Sequence, residues 1–244
     1  MNTHKSNLTK LIKQNSYRHS AWKVFADFIV LSSISISNAV DLRHWDEREK
    51  RYMDIISGYD RDEIDRFPKM LAELVAALET EMTDVLGQIF MELELGSKQT
   101  GQFFTPWSVC QTIAEIAVTD AGKKIENNGF ITVNEPAVGG GAMIIALAEA
   151  LKKAGYNYQK QMVVVATDID IRSVYMCYLQ LSLLGIPAAV YHGDTLSLKM
   201  YSEWFTPAYI LGGWSLRKWW EEKKEPDIKN ITGEAEQLKL ELVV

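Results

Sequence analysis

The sequence predicts a helical N-terminal domain, residues 1–99, followed by an α/β domain, residues 100–244, built on a mainly parallel sheet. Three observations carry this reading. The first hundred residues run as one amphipathic helical pattern after another. After them, strand-length apolar runs alternate with helical stretches. Each of those runs ends in an acid or in a glycine-rich turn. Strand, helix, strand, helix, strand is the pattern of parallel strands joined by crossover helices.

The composition permits such a fold. The chain has 244 residues, 47% hydrophobic and 24% charged, enough for a sizeable core and outside the disordered and low-complexity classes. Its 26 basic and 32 acidic residues give a net charge of −6, a weak argument against gripping DNA alone, since nonspecific affinity comes from Lys and Arg on phosphates. Cys110 and Cys177 cannot build a disulfide framework, which predicts a reducing, cytoplasmic setting.

Taken in order, residues 1–26 carry Lys5, Lys10, Lys13, Arg18 and Lys23 and no acid, whereas residues 41–100 carry 15 acids and 8 bases. The arm reads either as a contact for phosphate or an acidic partner, or as a solvated end. The few apolar residues within 1–17 predict that this stretch can be removed without loss of the fold. Residues 28–40 read as a buried helix with its exit turn. They hold four serines, and their dozen or so residues fall short of the roughly 20 a membrane span needs. Asp27 interrupts the pattern of a signal peptide.

Trp22, Phe25, Ala26 and Ile29 share one helical face. Leu71, Leu74, Val75, Leu78, Met82, Val85, Leu86, Ile89, Phe90 and Leu93 predict one long helix with Pro68 in its first turn and Gly96 at its end. A further helix starts after Thr105, with Pro106 at its first position and Val109, Ile113, Ala114 and Ile116 facing inward. Strands follow at 130–133, 162–166 and 188–191, with helices at 142–154 and 172–184 between them. A fourth strand is expected within 207–213, and a short helix near 235–242.

Parallel sheets bind ligands at the carboxyl ends of their strands, where strand order reverses. The first strand runs into Asn134-Glu135-Pro136-Ala137-Val138-Gly139-Gly140-Gly141, the second into Thr167-Asp168-Ile169-Asp170, the third into His192-Gly193-Asp194. Singly, these read as turns and caps. Together, one per β–α unit, they describe a nucleoside pocket. Glu135 and the glycine loop face a polar tail, Asp168 the ribose hydroxyls and Asp194 an adenine amine. A dinucleotide pocket prefers G-x-G-x-x-G. Here the glycines are contiguous, and Glu135 would repel a pyrophosphate but suits a cationic amine and sulfonium, so S-adenosylmethionine fits better.

These segments, with Gly101-Gln102-Phe103-Phe104-Thr105-Pro106 ahead of them, resemble the N6-adenine DNA methyltransferase family, nearest to the modification subunits of type I restriction systems. The resemblance implies a Rossmann-like S-adenosylmethionine-dependent methyltransferase domain, truncated at its C-terminal end, behind a helical domain. It implies that Phe104, Thr105 and Pro106 pack along the methionine part of the cofactor. Glu135 and Gly139 would line its amine side, Asp168 the ribose and Asp194 the adenine, with Pro136, Ala137, Gly141 and Ile169 also binding the cofactor. The implied activity is DNA adenine-N6 methylation.

The family also carries an N/D-P-P-Y/F tetrapeptide that holds the target adenine, whose extrusion exposes its amine. This sequence has no Pro-Pro. In the expected place stand Gly212, Gly213 and Trp214, of which only Trp214 offers a stacking ring. Catalytic residues are therefore unassigned, and an enzyme stands beside a non-catalytic alternative. The alternative is a binding protein on a methyltransferase fold, for example a mobile-element factor acting on a host modification or defence system. Some fifty residues follow Asp194, from which no domain for reading base edges is expected, so DNA recognition calls for a separate specificity chain. A homo-oligomer stays open. No membrane contact is expected. His4, His19, His44 and His192 are scattered, so no metal site is expected.

Overall fold

The computed structural model describes residues 3–94 and 104–216. Of these, the residues up to Gly212 form one compact unit, and 213–216 fall outside it; the expected helix near 235–242 lies outside the described residues.

The helical part opens with α1 (Thr3–Gln14) and α2 (Ala21–Asn38). Ser20 caps α2 by accepting from the Lys23 amide. A short 3₁₀ turn, Leu42–His44, leads to α3 (Trp45–Ile56), then α4 (Arg61–Ile64), α5 (Arg66–Thr80) and α6 (Val85–Glu94). α2 is the spine. Its Phe25, Phe28, Ile29 and Ile34 are buried, and it packs against α3 and against the second crossover helix of the sheet.

Two expectations change here. The basic arm is no loose end, because α1 lies on α5 and buries Leu8 and Ile12 completely. The long helix expected over residues 71–93 is two helices. Glu81 turns extended, and Asp84 restarts the helical path by accepting from the Gly87 amide at 2.8 Å. The apolar period continues across the break, which is why the pattern alone reads as unbroken.

After α7 (Trp107–Asn128), the sheet unit runs β1 (Ile131–Glu135), α8 (Ala142–Lys153), α9 (Tyr158–Gln161), β2 (Met162–Asp168), α10 (Ile171–Leu183), β3 (Ala188–Asp194), β4 (Lys199–Phe205) and α11 (Pro207–Leu211). The three predicted strands and both crossover helices are present. Strands β1, β2 and β3 pair in parallel, and β4 returns antiparallel beside β3. The near-continuous burial of β2 marks it as a central strand.

The spatial order β1-β2-β3-β4 equals the chain order, so it does not reverse among the described residues. The fourth strand comes earlier than expected. Residues 207–211 are helical because Thr206 accepts from the Tyr209 amide and Pro207 sits at the first helical position.

The inward face of α7 also differs. Ala114 is buried, but Val109, Ile113 and Ile116 are 43%, 44% and 74% exposed. Cys110 and Ala114 pack instead against Ala142, Ala146 and Ala150 of α8. Small residues on both helices allow close approach, and that contact sets the rotation of α7.

Helical and sheet parts share one hydrophobic cluster running from Leu8 to Trp204. The division at residue 99/100 drawn from sequence therefore does not coincide with a gap in packing. Arg48 of α3 donates to Asp41 at 2.9 Å and to the Glu203 carbonyl at 2.8 Å, and its guanidinium lies 4.0 Å from the Trp204 ring centre. Burial alone would raise the Asp41 carboxyl, but hydrogen bonds from His44 and Arg48 hold it below its ordinary value.

Candidate cofactor site

The carboxyl ends of the three parallel strands are tied together. Leaving β1, the chain turns through the glycine loop, and the Gly139 amide donates to Asp168 Oδ2 at 2.8 Å. The Val138 amide donates to the Thr167 carbonyl at 3.0 Å. Asp168 Oδ1 accepts from the Asp170 amide at 2.8 Å. From β3, His192 Nε2 meets the Ile169 carbonyl at 3.2 Å, and beyond it Thr195 Oγ1 donates to the Pro136 carbonyl at 2.7 Å. The ends of β1, β2 and β3 thus form one continuous surface.

Gly139 is required twice over. Its φ of +54° lies in the left-handed region, and a Cβ there would stand 3.0 Å from the Phe104 ring. Phe104 also meets Phe90 of α6, with ring centres 4.9 Å apart. The Phe104 ring therefore lies between α6 and the glycine loop. Pro106 caps α7, so that helix begins one residue later than expected. Thr105, Pro106, Pro136 and Ala137 are exposed, and Glu135 is half-buried with Oε1 3.4 Å from the Ala137 amide.

A hollow of about 130 Å³ lies over the loop, lined by Asp84, Phe104, Thr105, Glu135, Gly139 and Gly140 among others. It adjoins one of about 250 Å³ that shares Asp84, Phe104 and Thr105. Two larger hollows, of about 710 and 820 Å³, lie elsewhere, one of them reaching His192 from the β3–β4 side. Size alone does not pick out the site; the convergence of strand ends does.

Asp168 ends β2, and Ile169 beside it is 62% exposed. Asp194 is committed locally. It accepts from the Leu196 and Ser197 amides and, at 2.8 Å, from the Ser197 hydroxyl, bonds that lower its carboxyl below the ordinary range. Gly193 has a packing reason of its own, because a Cβ there would stand 2.6 Å from Met200 Sδ and 2.8 Å from the Lys199 carbonyl. Of the degenerate acceptor position, Gly212 ends α11, Gly213 has φ +64°, and Trp214 is buried.

Two site residues escaped the sequence reading, Asp84 and Gln180. Gln180 Nε2 donates at 2.8 Å to Asp84 Oδ1 and at 2.8 Å to the Gly140 carbonyl, while its Oε1 accepts from the Leu86 amide at 3.0 Å. Burial pushes the Asp84 carboxyl up, against the pull of Gln180 and the Gly87 amide. Nearby, burial likewise raises the Cys177 thiol well above its usual value, so it is an inert core group. The signal for Asp84 was Thr83-Asp84 followed by Gly87, a cap interrupting an apolar run.

A family model described as N-6 DNA methylase matches residues 81–237. No curated protein matches the chain. A solved Listeria monocytogenes structure, described provisionally as a class I S-adenosylmethionine-dependent methyltransferase, is similar at 14% identity and a TM-score of 0.43. The match covers 80% of this chain and 55% of that one, so the chain spans little more than half of its length.

Proposed function

The chain belongs to the N-6 DNA methylase family, and on that premise we propose that it binds S-adenosylmethionine at the joined ends of β1 and β2, as a DNA adenine-N6 methyltransferase-like protein with an incomplete acceptor site. The observation that carries this is the bond from the Gly139 amide to Asp168, which fixes a glycine loop against an acid at the next strand end. The donor set suits the ligand. Among the described residues, the loop hollow is lined by the acids Asp84 and Glu135 and by no Lys, Arg or His, which favours a cationic tail over a pyrophosphate.

When bound, the cofactor supplies a methyl group on a sulfonium. Phe104 and Gly139 would hold its methionine part, Asp168 would accept from the ribose hydroxyls with Ile169 beside it, and Asp194 would meet the adenine. Asp168→Ala is expected to weaken binding by roughly 1.5–3 kcal/mol, the worth of hydrogen bonds to a charged group. Calorimetry reads this directly. Folded wild-type protein that gives neither heat nor thermal shift with millimolar S-adenosylmethionine overturns the reading.

The missing tetrapeptide favours a second reading, a binding protein on this fold that acts on DNA or on a host modification or defence system with a separate specificity chain. Gly212 and Gly213 have no side chain to orient an adenine amine, and losing one such positioned group costs about 10²–10³ in rate. Methyl transfer from tritiated cofactor to mixed-sequence DNA, beside an active relative, separates the two. Slow or absent transfer is the expected result. Rapid adenine-N6 methylation, lost on Asp194→Ala, would establish the enzyme instead.

A further inference from the structure

Asp84 is 5% exposed and lies between two glycines of different elements. A Cβ on Gly140 would stand 2.8 and 3.0 Å from its two carboxylate oxygens, and one on Gly87 would overlap them. Both described hydrogen bonds to the group, from the Gly87 amide and from Gln180 Nε2, go to Oδ1. Oδ2 has no hydrogen-bond partner among the described residues. Asp84 also lines both hollows that meet at Phe104 and Thr105. In the smaller one it is joined by Glu135 and, among the described residues, by no basic side chain, whereas the larger is also lined by Lys5.

A buried carboxylate is stable only when paired or fully hydrogen-bonded. Its cap and its bond to Gln180 account for one oxygen. The other is open to a donor, and the smaller hollow brings two carboxylates to it.

We infer that Asp84 binds the primary ammonium of the cofactor's amino-acid tail through Oδ2, opposite Glu135, so that the helical part of the chain supplies one wall of the ligand site. This inference rests on the cofactor reading above. The burial that raises the Asp84 carboxyl is then offset when the ammonium arrives, and Gly140 must lack a side chain so that loop and carboxylate can meet.

The test compares ligands with and without that ammonium. Asp84→Asn keeps an oxygen for the Gly87 amide and for Gln180 and changes only the second oxygen, and a thermal melt verifies that the variant is folded. By calorimetry, Asp84→Asn is expected to bind S-adenosylmethionine about 10- to 100-fold more weakly than wild type. Its affinity for 5′-methylthioadenosine, which has no amino-acid tail, should stay unchanged.

A second measurement needs no variant. Wild-type protein should bind S-adenosylhomocysteine at least about tenfold more tightly than the analogue whose α-amine is replaced by hydrogen. Equal affinity for that pair, or an unchanged S-adenosylmethionine affinity in folded Asp84→Asn, overturns the role of Asp84 while binding of methylthioadenosine leaves the cofactor reading standing. Wild-type protein that binds none of these ligands overturns the cofactor reading and this inference together.

Discussion

Replacing Gln180 by leucine removes three buried hydrogen bonds at one stroke. The Leu86 amide, in the first turn of α6, loses its acceptor, and the Gly140 carbonyl and Asp84 Oδ1 each lose a donor at 2.8 Å. The Leu86 amide and the Gly140 carbonyl each lose this partner at about 1–3 kcal/mol, whereas Asp84 Oδ1 keeps the Gly87 amide. The three share one side chain and relax together, so the expected loss is about 3–5 kcal/mol rather than their full sum. At about 2–4 °C per kcal/mol for a unit of this size, the midpoint should fall by about 6–20 °C.

The pH dependence has a definite sign. The Asp84 carboxyl lies above its ordinary value in the folded state. The stability it contributes is therefore complete below the usual carboxylate range, near about 4, and falls away as the pH rises through the raised value. Gln180 lowers that value, so Gln180→Leu raises it further and costs more at pH 8 than at pH 5. Urea titration followed by circular dichroism at both pH values measures this. A loss under about 1 kcal/mol, or one that grows on acidification, would refute the argument.

Other variants follow from the same kind of accounting. Gly139→Ala forces a side chain into φ +54° and against the Phe104 ring; about 1–2 kcal/mol of strain is expected, with a lower melting midpoint and weaker S-adenosylmethionine binding. Asp41→Asn leaves Arg48 charged and buried, which should cost about 3–5 kcal/mol at pH 7. Because the Asp41 carboxyl is held low, its contribution is present above about pH 4 and lost as the pH falls through the lowered value, so the variant and wild type should converge in acid melts. Leu8→Ala and Ile12→Ala should each cost about 2–5 kcal/mol by urea titration, since both are fully buried. Wild-type stability in either one would restore the view of residues 1–17 as a removable stretch.

The sheet was legible in the sequence because its strands are short apolar runs ended by Asp168, Asp194 and the glycine loop, and both the period and the turn chemistry are local signals. The α7 face was not. Val109, Ile113 and Ile116 have the right spacing for a core stripe, but packing of Cys110 and Ala114 on the alanines of α8 decides the rotation. Helix α11 was read as a strand because Tyr209, Ile210 and Leu211 suit either structure, and Thr206 as a cap arbitrates only once β4 has ended. The Asp84–Gln180 pair is 96 positions apart, and no local rule connects an acid at a helix break with an amide in the middle of another helix.

That pair also sets the terms for any chimera. A helical segment taken from a relative and joined ahead of residue 104 brings its own residue to position 84, while the matching amide at 180 and the bare backbone at Gly140 stay behind with the sheet. Exchange of the two parts will therefore succeed only as a three-position graft. In a collection of relatives, substitutions at 84, 140 and 180 should be inherited as a set, whatever happens on the surface between them.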